Sequence, residues 1–231
     1  MNAMKLYTDV KNTINTINSY RGDDFTVFFQ PILNELLAET TVKTLTGEKK
    51  SAFQAALRFT KETAKYMAKH GREQLAGAWI DEKNGAQIIC DSFTLLVYDK
   101  PFDGLPAAEY FGSKPLDYEK VIPATMTDTA TLPDPRELRA TYAADKMRHT
   151  GPAKYFNHYT AFNTHAGTTC YFDTLRLASA IECMASRSVD YDANNPFGVF
   201  KIIGPLGLAI VCACRVQNEA EHGYTIKHYT L

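Results

Sequence analysis

The sequence predicts an α+β protein, with helices packed on antiparallel sheets, from three observations. Segments with apolar residues at helical spacing alternate with short runs rich in β-branched and aromatic residues. Asn84-Gly85 between two such runs is a strong hairpin signal. The chain has 231 residues, 45% hydrophobic and 22% charged, enough to bury a core without metals or disulfide staples.

Residues 1–50 read as a separate helical N-terminal segment. Leu6, Val10, Ile14 and Ile17 recur at helical spacing. After the break at Arg21-Gly22-Asp23-Asp24, a second run from Phe25 to Glu39 carries Phe28, Phe29, Ile32, Leu33, Leu36 and Leu37. Asp24 can cap this second helix, and Pro31 falls late enough to kink it rather than start it. Two readings stand side by side: a helical hairpin packed on the main body, or an arm that docks a partner or another subunit.

The main body is expected over residues 51–216. Ser51 is placed as an N-cap, Ala52 to His70 is rich in helix formers, and Gly71 sits where a C-cap glycine belongs. Phe53, Ala56, Leu57, Thr60, Ala64 and Met67 share one side of this helix. Leu75–Asp81, Ala86–Cys90 and Phe93–Tyr98 then read as three antiparallel strands. An irregular connection at about 100–135 follows, holding Pro101, Pro106, Pro115, Pro123, Pro133 and Pro135, with one or two edge strands.

A second round starts with Asp134 as N-cap, Pro135 at the first helical position, and a helix to Arg148. Strand-like runs follow at Tyr155–Phe162 and Thr168–Phe172. Asp173 then caps a helix reaching about Ser186, with Leu177, Ala178, Ile181, Met184 and Ala185 on one face and Arg176, Ser179, Cys183 and Arg187 on the other. Phe197–Ile203 and Leu208–Val216 form a hairpin through Gly204-Pro205-Leu206-Gly207. The tail, 217–231, adds a last strand at Tyr224–Tyr229.

Charge is segregated along this frame. Lys and Arg number 25 against 26 Asp and Glu, a net −1, which excludes a polybasic coat or membrane-surface binder. Yet from Ser51 to Arg72 there are five Lys or Arg and one acid, and from Pro101 to Glu137 seven acids and three bases. Arg58, Lys61, Lys65 and Lys69 fall on a narrow arc opposite the apolar side. A helix face built only for solubility gains from alternating signs, and this arc lacks them. These four are therefore candidate DNA-binding residues, with Arg176 and Arg187 as a second patch on the last helix.

Four segments share a further pattern. Phe53 to His70 leads into Leu75-Ala76-Gly77-Ala78-Trp79-Ile80, and Ile88-Ile89-Cys90-Asp91-Ser92-Phe93-Thr94-Leu95-Leu96 makes a strand-turn-strand. Pro115-Leu116-Asp117-Tyr118-Glu119-Lys120-Val121-Ile122-Pro123 precedes a helix. Tyr171-Phe172-Asp173-Thr174-Leu175 opens the closing helix, followed by Ile210-Val211-Cys212-Ala213-Cys214-Arg215-Val216. In this order they resemble the bacterial DNA polymerase III beta subunit, the sliding clamp, and its shortened phage or prophage relatives. Leu116 replaces a family proline, and Cys212 stands where the P-x-R tract has its proline.

The resemblance covers about Ser51 to Val216 and implies a DNA-clamp-like fold of two related halves, with basic helices facing duplex DNA. It implies a non-catalytic processivity or tethering factor that contacts the DNA backbone without sequence specificity. It also implies a DNA polymerase or other replication protein as partner, and self-association, because the chain carries material for one domain or one and a half against a clamp subunit's three. The alternative is a protein–protein interaction module that keeps the fold without forming a ring.

The six histidines form no H-E-x-x-H pair, and the glycines form neither a G-x-x-x-x-G-K-[ST] nor a G-x-G-x-x-G loop. There is no G-x-S-x-G elbow. Cys212-x-Cys214 has no second pair at zinc spacing and is expected as core thiols. Asp23/Asp24 and Asp190/Asp192 are expected in polar turns. No catalytic residue, cofactor or metal is expected; a small-molecule enzyme remains the minor alternative.

Met1–Tyr20 lacks the apolar core of a secretory signal, and no run approaches the roughly 20 apolar residues of a membrane span. Five scattered cysteines favour reduced thiols. The expected location is cytoplasmic, with no membrane partner.

Overall fold

The computed structural model describes residues 3–21, 26–108, 116–151, 156–216 and 225–231. It is an α+β structure whose chain divides into two compact units, Met1–Ile89 with Lys100–Ser113, and Cys90–Asp99 with Lys114–Leu231. The Asp24 cap and the Asp23/Asp24 turn lie outside the described residues.

In the first unit, α1 (Ala3–Arg21) and α2 (Thr26–Thr44) pack along each other, burying Ile14 from α1 and Leu33 and Ala38 from α2. Pro31 lies inside α2. α3 (Gly47–Lys69) begins a turn before the expected Ser51 cap. Ser51 Oγ donates back to Gly47 O at 3.5 Å, the mid-helix use of a serine hydroxyl, and Glu48 supplies the acid that favours a first turn. At the other end Gly71 adopts φ +66°, as a C-terminal glycine should.

Ala52, Phe53, Ala55, Ala56, Phe59, Thr60, Thr63 and Met67 of α3 are buried. β1 (Ala78–Ile80) and β2 (Gln87–Cys90) pair antiparallel across the Asn84-Gly85 turn. The segment 100–108 fastens this unit together. The Phe102 ring packs 5.3 Å from Phe53, while buried Gln87 accepts the Phe102 N–H at 2.9 Å and donates to its carbonyl at 3.2 Å. Gly104, at φ +87°, lies so close to α2 that a Cβ there would come 2.5 Å from the Ala38 nitrogen. Thr41 Oγ1 donates to Asp103 O at 3.0 Å.

The second unit holds five strands in the order β3 (Thr94–Tyr98), β9 (Gly207–Cys212), β8 (Val199–Gly204), β7 (Ser188–Tyr191) and β4 (Asp128–Thr131), each pair antiparallel. A second sheet joins β5 (His158–Asn163) to β6 (Thr169–Asp173) antiparallel and to β10 (Thr225–Thr230) parallel. The parallel pairing departs from the antiparallel expectation. β5 and β10 are separated by a helix and four strands, so no local turn sets their direction. β7 was not expected: Ser-Val-Asp-Tyr has only two apolar residues, and both are buried, Val189 fully. Asp190 therefore lies in a strand rather than a turn. Asp192 does make the turn, accepting the Asn194 N–H at 3.0 Å.

The core of this unit is aromatic. Phe172 and Phe200 stack at 4.0 Å, and Phe162 and Tyr191 pack on Phe200 at 5.1 and 5.9 Å. Asp134 caps α4 (Pro135–Arg148) and Asp173 caps α5 (Thr174–Met184), each accepting the Arg136 or Arg176 N–H. The outer face of α5 is largely covered: Ser179 and Cys183, expected outside, are buried with Leu177, Ala178, Ala180 and Ile181, while Arg176 and Glu182 keep partial exposure. α4 packs on α5 and covers Ser179, while Cys183 lies against Tyr98 of β3. Arg139 of α4 grips Glu182 through both carboxylate oxygens at 2.7 and 2.8 Å and donates to Ser179 Oγ at 2.9 Å.

Candidate nucleic-acid interface

α3 carries the candidate surface. Its buried residues centre on Phe59 and Thr63, and on the opposite side Arg58, Lys61, Lys65 and Lys69 are all exposed. At 100° per residue the four fall within about 80° of arc, and at 1.5 Å rise they span roughly 16 Å of helix. Exposed Gln54, Glu62 and Tyr66 flank them. Tyr66 stacks against His70 at 4.2 Å, with His70 Nδ1 2.7 Å from the Tyr66 carbonyl, so the arc ends in a fixed aromatic pair. An acid of another element approaches the arc: Glu35 Oε1 of α2 lies 3.9 Å from Lys61 Nζ, both well exposed. Such a contact is worth little in water.

The other two candidates are engaged within the second unit. Arg176 Nε donates to Asp91 Oδ2 at 2.9 Å, its guanidinium lies 3.9 Å from Asp173, and it sits 4.4 Å above the Phe93 ring. Asp91 in turn accepts the Phe93 and Thr94 N–H groups at 2.9 and 2.6 Å, closing the turn between β2 and β3. This is a folding contact. Arg187 is exposed but donates Nε to the Leu132 carbonyl, bracing the strand end before α4.

A polar chain not foreseen from the sequence runs through the second unit. The fully buried His158 side chain has Nε2 3.0 Å from Asp145 Oδ2 and Nδ1 2.8 Å from Thr174 Oγ1, which lies 2.9 Å from Thr160 Oγ1. A carboxylate, an imidazole and a hydroxyl in line have the order of an acyl-transfer relay. Thr174 and Thr160 are both fully buried, so no hydroxyl here is offered to a substrate. The chain instead satisfies polar groups between α4, β5 and α5. Its signal in the sequence was slight, since the Asp and His lie 13 residues apart on different elements.

Cys212 and Cys214, expected in the core, are half-buried, and burial pushes both thiols up, away from the reactive thiolate. Among the described residues no group of three or more His, Cys, Asp and Glu side chains is placed to hold a metal ion. Nor is any described helix long and apolar enough to cross a membrane.

Fold and surface together define an α+β protein whose candidate ligand surface is one cationic helix face. No family model matches the chain, and no curated protein matches it. Among solved structures, the DNA polymerase III beta subunit of Thermotoga maritima aligns at a TM-score of 0.44 and 12% identity. The alignment covers 70% of this chain, which spans 65% of the length of that one.

Proposed function

We propose that this protein is a non-catalytic, DNA-associated protein of the clamp-like kind, a cytoplasmic processivity or tethering factor that holds duplex DNA by its backbone and works with a DNA polymerase or other replication protein. The observation that carries this reading is the arc of Arg58, Lys61, Lys65 and Lys69, exposed together on one face of α3. A cationic stripe on one exposed helix face suits phosphate contacts, which position a protein without choosing a sequence.

The test is fluorescence anisotropy on a labelled duplex across a salt series. Each phosphate neutralised contributes about −0.9 to the slope of log K against log salt, so four cations give roughly −3.6, the same on unrelated sequences. Reversing Lys61 and Lys65 to Glu abolishes binding. No binding by the wild type at low salt ends the reading.

A second reading has its own observation. Phe28 on α2 is 85% exposed and Ile32, one turn on, is 49% exposed. An apolar pair in water is the mark of a docking surface, which favours a protein–protein interaction module.

A further inference from the structure

The outer ridge of α2 is unlike a solvated helix face. Phe28, Ile32, Glu35 and Glu39 lie within about 60° of one another at 100° per residue, so an apolar pair is followed directly by an acidic pair on one line. Beside this ridge runs a groove between α2 and α3, lined by Ala38, Val42 and Leu57 with Glu35, Glu39 and Lys61 at its edges. The apolar part of the ridge therefore lies at one end of α2 and the apolar floor of the groove towards the other.

From these placements we infer that the occupant of this surface is a second copy of the chain, with two α2 helices crossing antiparallel about Glu35. The spacing is self-complementary. Phe28 lies seven residues before Glu35 and Val42 seven after; Ile32 lies three before and Ala38 three after. In an antiparallel crossing, Phe28 and Ile32 of each copy meet the partner's Val42 and Ala38, about 10 and 4.5 Å from the twofold axis. The charges agree with this crossing. Each Glu35 already lies 3.9 Å from its own Lys61, so the axis gathers two carboxylates and two ammonium groups in alternation. A purely acidic partner would set its carboxylates against Glu35 and Glu39, and a purely basic one its cations against Lys61.

The interface is small. Its anchors are one phenylalanine and one isoleucine from each copy, which puts it at the weak end of specific interfaces, with dissociation on the order of 10 µM. It is tested without DNA.

Sedimentation velocity of the full chain between 1 and 300 µM is expected to show a reversible monomer–dimer equilibrium. Phe28→Glu shifts the dissociation constant by about tenfold or more, since central aromatic anchors dominate such contacts. Phe28 is largely in solvent, so this change leaves the monomer folded, which its circular dichroism spectrum checks. Glu35→Lys alone also weakens the dimer, and Glu35→Lys with Lys61→Glu restores it to within about threefold of wild type. A wild type that stays monomeric throughout overturns the inference, and so does a dimer indifferent to Phe28→Glu or a double reversal that fails to rescue. Duplex binding is read separately, so its loss or presence leaves this result intact.

Discussion

Arg176 separates a folding role from a DNA role, because both readings make quantitative and opposite demands. In Arg176→Met the stem stays and the guanidinium goes. Asp91, whose side chain is 9% exposed, loses its cation at 2.9 Å, while its two amide donors at 2.9 and 2.6 Å remain. Breaking a fully buried pair costs about 3–5 kcal/mol. Arg176 is 29% exposed and Asp91 keeps two hydrogen bonds, so the loss is reduced to about 2 kcal/mol. The stacking on Phe93 at 4.4 Å adds about 0.5–1 kcal/mol. For a chain of this size each kcal/mol moves Tm by about 2–4 °C, so the variant melts about 5–12 °C lower. A thermal melt followed by near-ultraviolet circular dichroism reads the aromatic core of the second unit. In the duplex salt series the slope of the variant stays at the wild-type value. A variant with unchanged Tm and a slope smaller by about 0.9 would refute the assignment and return Arg176 to the DNA surface.

Gly104→Ala places a methyl at φ +87° against the α2 backbone, and is expected to destabilise the first unit by more than 1 kcal/mol; limited proteolysis is expected to cut first within residues 1–50. Arg139→Ala leaves Glu182 and Ser179 without their shared donor and costs about 2 kcal/mol, measured as a lower urea midpoint with unchanged m-value. Burial, reinforced by its hydrogen bond to Glu137 at 2.9 Å, pushes the Tyr229 phenol up to about 12. The unfolded chain releases that proton first, so this contribution is intact below about pH 10 and lost between about 10 and 12; urea midpoints fall over that window, less steeply in Tyr229→Phe.

Local signals carried well into the fold where one short segment decided the outcome. Asp134-Pro135 and Asp173 start helices because a carboxylate accepts an amide two or three residues on, and Asn84-Gly85 and Gly204–Gly207 turn their hairpins whatever surrounds them. The misses share a different cause, because distant elements decided them. Ser179 looks like an outer-face residue until α4 covers it, and Cys183 until Tyr98 of β3 does, and nothing within α5 announces either neighbour. Asp190 reads as a turn residue until two neighbouring strands recruit Val189 and Tyr191 into a sheet. In the candidate interface, the exposure of Arg58, Lys61, Lys65 and Lys69 was legible because it depends only on helical period and the opposite apolar side. The pairing of Arg176 with Asp91, 85 residues away, was not.

The contacts of Arg176 with Asp91 and of Arg187 with the Leu132 carbonyl also narrow what the DNA reading can rest on. The cations expected on two helices come down to the α3 arc, and one of them, Lys61, stands at the edge of the α2–α3 groove as well. If both proposals hold, they share that side chain and are thermodynamically linked. A dimer that places a second Glu35 beside Lys61 weakens its attraction for phosphate, and by reciprocity DNA that engages Lys61 weakens the dimer by the same factor. Added duplex would then lower the dimer fraction in sedimentation, most strongly at low salt where the phosphate contact is strongest. In Lys61→Gln, which removes the shared group, dimer and DNA affinities become independent of one another. A dimer fraction that rises with duplex in the wild type would instead mean that two copies share one DNA, with Arg58, Lys65 and Lys69 of each doing the binding.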